Sequence, residues 1–286
     1  MSSSHIAIMG ASSLVGGPLI LSLSKKGRKV IAVSRKRAAE STETVSWLQT
    51  DISAGGLPPE LAQVKTAVSL APVWVMADFL SKSRSSLERV VALSSTSVIA
   101  KAGSASSHEQ KVVEKLWHGE SSLMETCARQ GIKWTIIRTA MIHGWGMDGN
   151  VAAIARFIGK FGFFPVVNHG AGRRAPVHAR DVAQAVELAL ESPATQDKVY
   201  NICGGEVLTY MEMVGIIFET MKKKPRVVNI PKWLAKGGVR LVSMAPGFTH
   251  LDPELVERME MDMTFDNAPA ERDFGYRPGS FQPDVS

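Results

Sequence analysis

The 286-residue sequence is short of cysteine, of tyrosine and of long apolar runs, and each shortage removes a class of protein. Its two cysteines, Cys127 and Cys203, lie in apolar segments at no metal-ligand spacing. A disulfide framework and a thiolate metal site are therefore not expected, and reduced thiols in a cytoplasmic setting are. No stretch approaches the roughly 18 uninterrupted apolar residues of a spanning helix, and no apolar leader precedes the first predicted strand. Neither a membrane partner nor secretion is expected. The three tyrosines, Tyr200, Tyr210 and Tyr276, all fall late in the chain. Internal repeats and low-complexity linkers are also missing. The net charge of +6 would suit a polyanion, but the basic residues form separate clusters. These are Lys25 to Lys29, Arg35 to Arg37, Arg173-Arg174, and Lys222 to Arg226. They make no single stripe interleaved with aromatics, which argues against nucleic acid and leaves attraction for small anionic ligands.

What is present is a globular composition, 45% hydrophobic and 21% charged, with length enough for a full core. The chain is organised around Ile6-Ala7-Ile8-Met9-Gly10-Ala11-Ser12-Ser13-Leu14-Val15-Gly16-Gly17. A β-favouring run stops at a glycine, passes a short polar turn and restarts as an apolar helix. Such a helix start presents free backbone N–H groups and the positive end of the macrodipole, which suits a pyrophosphate. Gly10, Ser12, Ser13, Leu14, Val15 and Gly16 are thus candidate cofactor-binding residues, with Ser13 where the usual glycine fingerprint has its middle glycine. The first helix is predicted from Leu14 to Lys26, with Pro18 tolerated in its first turn.

The next strand, Lys29 to Val33, leads to Ser34-Arg35-Lys36-Arg37. NAD-preferring folds carry an acid at this strand tip to accept from the ribose hydroxyls. Here a serine and three cations replace it, so Ser34 and Arg35 point to the 2′-phosphate of NADP(H). A solvated basic turn is the plain alternative. A third strand, Val45 to Leu48, runs toward Asp51 and Ile52, which are placed to touch the adenine. A fourth, Thr66 to Ala71, delivers Leu70 and Ala71 to the same edge. The fifth, Arg89 to Leu93, ends in Ser94-Ser95-Thr96-Ser97. Apolar strands separated by helices predict a parallel sheet covered on both faces.

A long helix is predicted from Ser106 to Gln130. Ser107 and Lys111 stand one turn apart on it, while His108 is turned about 100° away. After the strand Trp134 to Arg138 comes the glycine-containing loop that holds Met141 and His143. A helix follows near Val151 to Lys160, then the segment Arg173-Arg174 to Asp181. Beyond these come a helix with Val182, Ala185, Val186 and Ala189 on one face, a strand at Val199 to Ile202, and a helix from Tyr210 to Met221. A dinucleotide-binding domain over 1–145 is expected. Residues 146–286 are assigned mostly to a smaller substrate-side subdomain, with some elements returning to the first core. The Pro-, Gly- and Ser-rich tail after Arg272 reads as a surface strap.

The order of these motifs resembles the short-chain dehydrogenase/reductase superfamily, in its extended and atypical NAD(P)-dependent epimerase/dehydratase branch. The resemblance rests on the Gly10 to Gly16 turn, Leu93 to Val98, the Arg138 loop with Gly144, Arg174 through His178 to Asp181, and Tyr200-Asn201-Ile202 before Gly204-Gly205. It implies an α/β fold: a Rossmann-type doubly wound parallel sheet with a smaller C-terminal substrate-side subdomain. It also implies a serine or threonine that orients the substrate, matched by Ser95 or Thr96. The family's lysine, which contacts the nicotinamide ribose, is matched by Lys111. Four residues before that lysine the family has a proton-exchanging tyrosine, and this chain has Ser107. A serine hydroxyl is too weak an acid for that task, which leaves His143, a water held by Ser95 and Ser107, or no redox step at all. In relatives that act on nucleotide sugars the arginine matching Arg174 binds the diphosphate, so Arg174 and Met141 are the substrate-side candidates. The expected function is an NADP(H)-dependent oxidoreductase or epimerase/dehydratase-like enzyme on an anionic or nucleotide-linked small molecule. The alternative is an NADP(H)-sensing regulatory protein without the catalytic tyrosine. A homodimer is allowed.

Overall fold

The computed structural model describes residues 5–36, 40–104, 106–242 and 254–284, so Arg37 of the basic strand tip lies outside the described residues. In chain order the structure opens with β1 (Ile6–Met9), α1 (Gly16–Lys25), β2 (Val30–Ser34), β3 (Val45–Gln49) and β4 (Thr66–Ser69). Then come α2 (Val73–Lys82), β5 (Arg89–Ser95), the short α3 (Ser97–Ala100), α4 (Ser107–Gln130) and β6 (Lys133–Thr139). The middle holds β7 (Ile142–His143), α5 (Val151–Phe161), β8 (Phe164–Val166), β9 (Arg173–Arg174), β10 (Val177–His178) and α6 (Ala179–Glu191). The remainder is β11 (Lys198–Ile202), β12 (Leu208–Thr209), α7 (Tyr210–Thr220), β13 (Val227–Asn229), α8 (Lys232–Val242), α9 (Glu254–Arg258) and α10 (Ala268–Phe274).

The chain divides into two compact units. The first comprises 1–139, 179–202 and 266–277; the second comprises 140–178, 203–265 and 278–286. The first unit is built on a seven-stranded sheet in the order β11-β6-β5-β4-β1-β2-β3, with every pairing parallel. Every residue of β1 and β2 is buried. Continuous apolar strands of this kind need cover on both faces, and helices connecting parallel strands supply it. The doubly wound parallel sheet inferred from the sequence is therefore the fold observed.

Local chemistry sets the helix limits. The α4 helix starts after Ser106, whose side chain accepts from the Glu109 amide, and it packs on α2 so closely that a Cβ at Gly119 would lie 2.8 Å from the Trp74 nitrogen. The first helix begins at Gly16 rather than Leu14, because the turn from Gly10 keeps its own hydrogen bonds, Ser13 N–H to Gly10 O and Gly16 N–H to Ser13 O. The core of this unit gathers Ala7, Met9 and Val33 from the sheet with Phe79 and Leu80 of α2 and Leu123 of α4.

In the second unit the strands are short and pair in three separate two-stranded ladders: β7 with β10, β9 with β12, and β8 with β13. Its core is helix-dominated, with Ile154 and Ile158 of α5 against Met213, Ile217 and Phe218 of α7. A reciprocal capping box, Thr209 with Glu212, starts α7. The expectation of a surface strap after Arg272 needs correction. Tyr276 and Phe281 are both buried, so aromatic anchors pin a segment whose composition reads as loose.

Candidate functional site

In the first unit the carboxyl edge of the sheet is assembled around the reversal of strand order, where β1 lies between β4 and β2. Ligands of doubly wound folds sit at such a point. Gly10 has φ +75°, and a Cβ there would lie 2.8 Å from the Ala71 nitrogen. Only glycine lets the first turn approach the Leu70-Ala71 backbone this closely. Gly16 is tighter still, since a Cβ would fall 1.9 Å from the Ala11 carbonyl oxygen. The start of α1 has no side-chain cap, and the Ser13 hydroxyl is buried without a partner. A phosphate oxygen would satisfy both vacancies: unshared N–H groups at a helix start and an orphaned hydroxyl. The residues present therefore fit the pyrophosphate of a dinucleotide.

The tip of β2 is joined to this turn, and Asp51 and Ile52 follow β3. The Ser34 hydroxyl donates to Ser12 Oγ at 2.9 Å and accepts from the Lys36 amide at 3.3 Å, which joins the tip of β2 to the glycine turn. Arg35 is exposed beside it, its carbonyl held by Gln49 Nε2 at 3.3 Å. Asp51 is exposed and caps the turn that begins at Ile52. The Ser53 hydroxyl and amide, donating at 2.6 and 2.9 Å, hold its carboxyl below the usual range. Ile52 is buried.

The residues assigned to chemistry are more constrained. Ser95 Oγ donates to Ser97 Oγ at 3.0 Å and accepts from the Ser97 amide at 3.1 Å, so it is half-buried and caps the turn into α3. Thr96 is buried, and its hydroxyl donates to the Thr139 carbonyl at 3.1 Å. Ser107 and Lys111 are exposed on successive turns at the start of α4. The linker before them is pinned by Glu109, which takes Lys101 Nζ at 2.8 Å and the Ser104 hydroxyl at 2.8 Å.

Sequence reasoning missed the acid that braces this edge. Glu120, buried on α4, accepts from the Ser94 hydroxyl at 2.5 Å and from Arg138 Nε at 3.0 and 3.1 Å. It thereby ties the carboxyl ends of β5 and β6 to one helix. A glutamate one position past a buried glycine in a helix otherwise rich in charge gave no pattern to find it by.

The remaining candidates belong to the second unit. His143 is 1% exposed, in edge contact with the rings of His178 and Phe281 at centroid distances of 5.1 and 4.9 Å. Burial, and secondarily the neighbouring His178, bring its pKa down to about 4 against the opposing pull of Asp148 and Asp284. The imidazolium needed for proton donation is thus unpopulated near neutrality. Arg174 is buried, stacked on the Tyr210 ring at 4.6 Å, with one guanidinium nitrogen donating to the Arg258 carbonyl. Burial lowers its pKa, and its Nε has no partner. Met141 instead lines a cavity of about 450 Å³ inside this unit, together with Tyr210 and Arg258. The three tyrosines are all buried. Tyr200 donates to Asp273 at 2.6 Å, and Tyr210 has an unpartnered hydroxyl with its pKa pushed up to about 12 by burial. Among the described residues no helix is long and apolar enough to cross a membrane, and no cluster of ligating side chains suits a metal ion.

A parallel doubly wound sheet with a glycine turn at its switch point defines a Rossmann-type fold. Residues 70–203 match the model of the NAD dependent epimerase/dehydratase family, and the resemblance drawn from the motifs holds. A mitochondrial NADH dehydrogenase [ubiquinone] 1 alpha subcomplex subunit 9 from Arabidopsis thaliana is 32% identical over 103 residues, which is 36% of this chain and 25% of that protein. The chain thus matches about a quarter of that curated relative's length. Among solved structures, UDP-glucuronic acid 4-epimerase from Bacillus cereus in complex with NAD superposes with a TM-score of 0.73 at 15% identity, covering 96% of this chain and 93% of that one. MoeE5 in complex with UDP-glucuronic acid and NAD gives 0.71 at 18%, covering 96% and 94%. At these identities the likeness is one of fold.

Proposed function

We propose that this chain binds NADP(H) at the glycine turn of its first unit and acts on a small molecule without the phenol that its relatives use. The observation that carries the cofactor is the tip of β2. Ser34 is engaged with Ser12, Arg35 is exposed beside it, and no carboxylate follows the strand to bind a free ribose or repel a 2′-phosphate. An arginine there meets a phosphate with charge-assisted hydrogen bonds. The neighbours' complexes with NAD support the dinucleotide in general; the strand tip supports the phosphorylated form.

The chemistry is expected to be weak toward generic carbonyl compounds. The motif resemblance matches Ser107 to the family's phenol, the three tyrosines are buried, and burial lowers the pKa of His143 to about 4. The same facts favour a second reading, an NADP(H)-sensing protein that keeps the nucleotide site and has set hydride transfer aside. The neighbours' complexes with UDP-glucose and UDP-glucuronic acid support a nucleotide-linked substrate by analogy of fold alone. The stacked and buried state of Arg174 supports a structural use of that residue instead.

Calorimetric titration of NADPH and NADH against wild type and Arg35→Ala tests the cofactor. Wild type should prefer NADPH, and Arg35→Ala should lose about ten- to a hundredfold in NADPH affinity, worth roughly 1.5–3 kcal/mol, with NADH unchanged. Tighter binding of NADH by wild type would overturn the reading.

A further inference from the structure

The cavity of the second unit has a more apolar lining than the handling of a sugar would need. Its volume is about 450 Å³, three times the roughly 150 Å³ of an engineered apolar cavity that admits one benzene. By that ratio it has room for roughly fifteen carbons or a few more. Its walls come from α5, β8, α7, α8 and α9, with Phe157, Phe164, Val239, Val256 and Met259 among them. A nucleotide sugar carries two phosphates and a shell of hydroxyls, each of which must find a partner when it leaves water. Among the described residues, Asn150, Tyr210 and Arg258 are the polar ones that this lining offers.

Two further observations point to an occupant. Leu234, Phe161 and Phe163 line the cavity and are at the same time 46%, 43% and 37% exposed, and Trp233, next to Leu234 on α8, is 75% exposed. Large apolar side chains gathered at a mouth and left in water mark a binding entrance. Tyr210, one of the lining residues, is 1% exposed and its hydroxyl has no hydrogen-bond partner. A buried donor left unsatisfied is costly, and one acceptor oxygen on a ligand would relieve it.

We propose that the second unit binds a ligand with one long apolar chain, fatty acyl or prenyl in type, and a single oxygen-bearing head that accepts from Tyr210. This inference is independent of the nucleotide, since every residue it uses lies within the second unit. It changes the expected ligand class from a polar, phosphate-linked molecule to a chain that avoids water.

The test uses the full-length protein without nucleotide, a fluorescent eighteen-carbon polyene fatty acid as probe, and farnesol, palmitate and UDP-glucose as competitors. The probe should bind wild type with rising fluorescence. Farnesol and palmitate should displace it, the stronger of the two telling prenyl from acyl, and UDP-glucose should not. Gly238 and Gly149 line the cavity, and a Cβ at either meets nothing within 4 Å, so side chains can be added there without a clash at Cβ. Gly238→Phe should weaken probe binding by about tenfold or more while thermal melting holds or rises, because a helix-interior glycine is also removed. Gly149→Leu provides the same test on a different wall if Gly238→Phe fails to fold. Tyr210→Phe should weaken farnesol more than a hydrocarbon of equal length. Failure of the probe to bind wild type, displacement by UDP-glucose alone, or equal binding by both folded glycine variants would overturn the proposal. Loss of NADPH binding would leave all of these readouts unmoved, so the two proposals fail separately.

Discussion

The two units are organised by opposite means. The first is organised by backbone: a parallel sheet, two glycines that allow close approach, and a helix start without a side-chain cap. The second is organised by side chains, with three short ladders around helices that leave an apolar space between them. Backbone sites depend on where Cβ atoms are absent, whereas side-chain cavities depend on volume. Substitutions should therefore hurt the two units in different ways.

The largest effect is expected at Gly16. A Cβ there would overlap the Ala11 carbonyl, so Gly16→Val should cost about 3 kcal/mol or more and abolish NADPH binding, as read by urea denaturation and titration. No equivalent glycine clash exists at Gly238 or Gly149, and the contrast between those variants and Gly16→Val is the sharpest form of the comparison.

A similar loss should follow removal of the brace in the first unit. Glu120→Ala leaves Arg138 and Ser94 without their acceptor and should destabilise by about 3 kcal/mol, checked by the same denaturation curves. A loss under 1 kcal/mol would mean that water replaces the carboxylate at the sheet edge.

Acid should separate the units next. The folded-state pKa of His143 is depressed to about 4 from 6.5, so between those values the unfolded chain binds a proton that the folded unit refuses. Stability then falls as pH falls from about 6.5 to about 4, by about 3 kcal/mol in all, and His143→Leu should flatten that slope. In the first unit Asp273 is held well below its usual value, first by the Tyr200 hydroxyl and then by Lys198. A depressed carboxyl stabilises above its unfolded pKa and loses that contribution only as pH drops further. The Tyr200–Asp273 contact should therefore be silent until below about pH 4, the smallest of these effects and one visible in a Tyr200→Phe melt series at low pH.

The difference between the units also explains what the sequence disclosed. Strands such as Ile6–Met9 and Val30–Ser34 are local apolar runs bounded by turn residues, and a local signal is legible. The glycine turn is legible for the same reason, since its residues are contiguous. Ser12 and Ser34 were singled out separately and proved to be bonded to each other. Glu120 and the cavity had no such signature. Glu120 draws its meaning from Ser94 and Arg138, which are 26 and 18 residues away, and the cavity from five elements brought together by packing. Tyr210 reads as the first residue of a helix, and only the fold reveals that its hydroxyl is buried and unpaired. Arg174 and His143 were read for their chemistry, yet burial decides how they behave.

Hydrogen exchange measured by mass spectrometry on one preparation, with NADPH and with the polyene fatty acid added in turn, tests the division of labour directly. NADPH should slow exchange across residues 10–16 and 70–71. The fatty acid should slow it in α5 and α8, at residues 151–161 and 232–242. Unchanged exchange at residues 10–16 with saturating NADPH, or protection of the same peptides by both ligands, would contradict it.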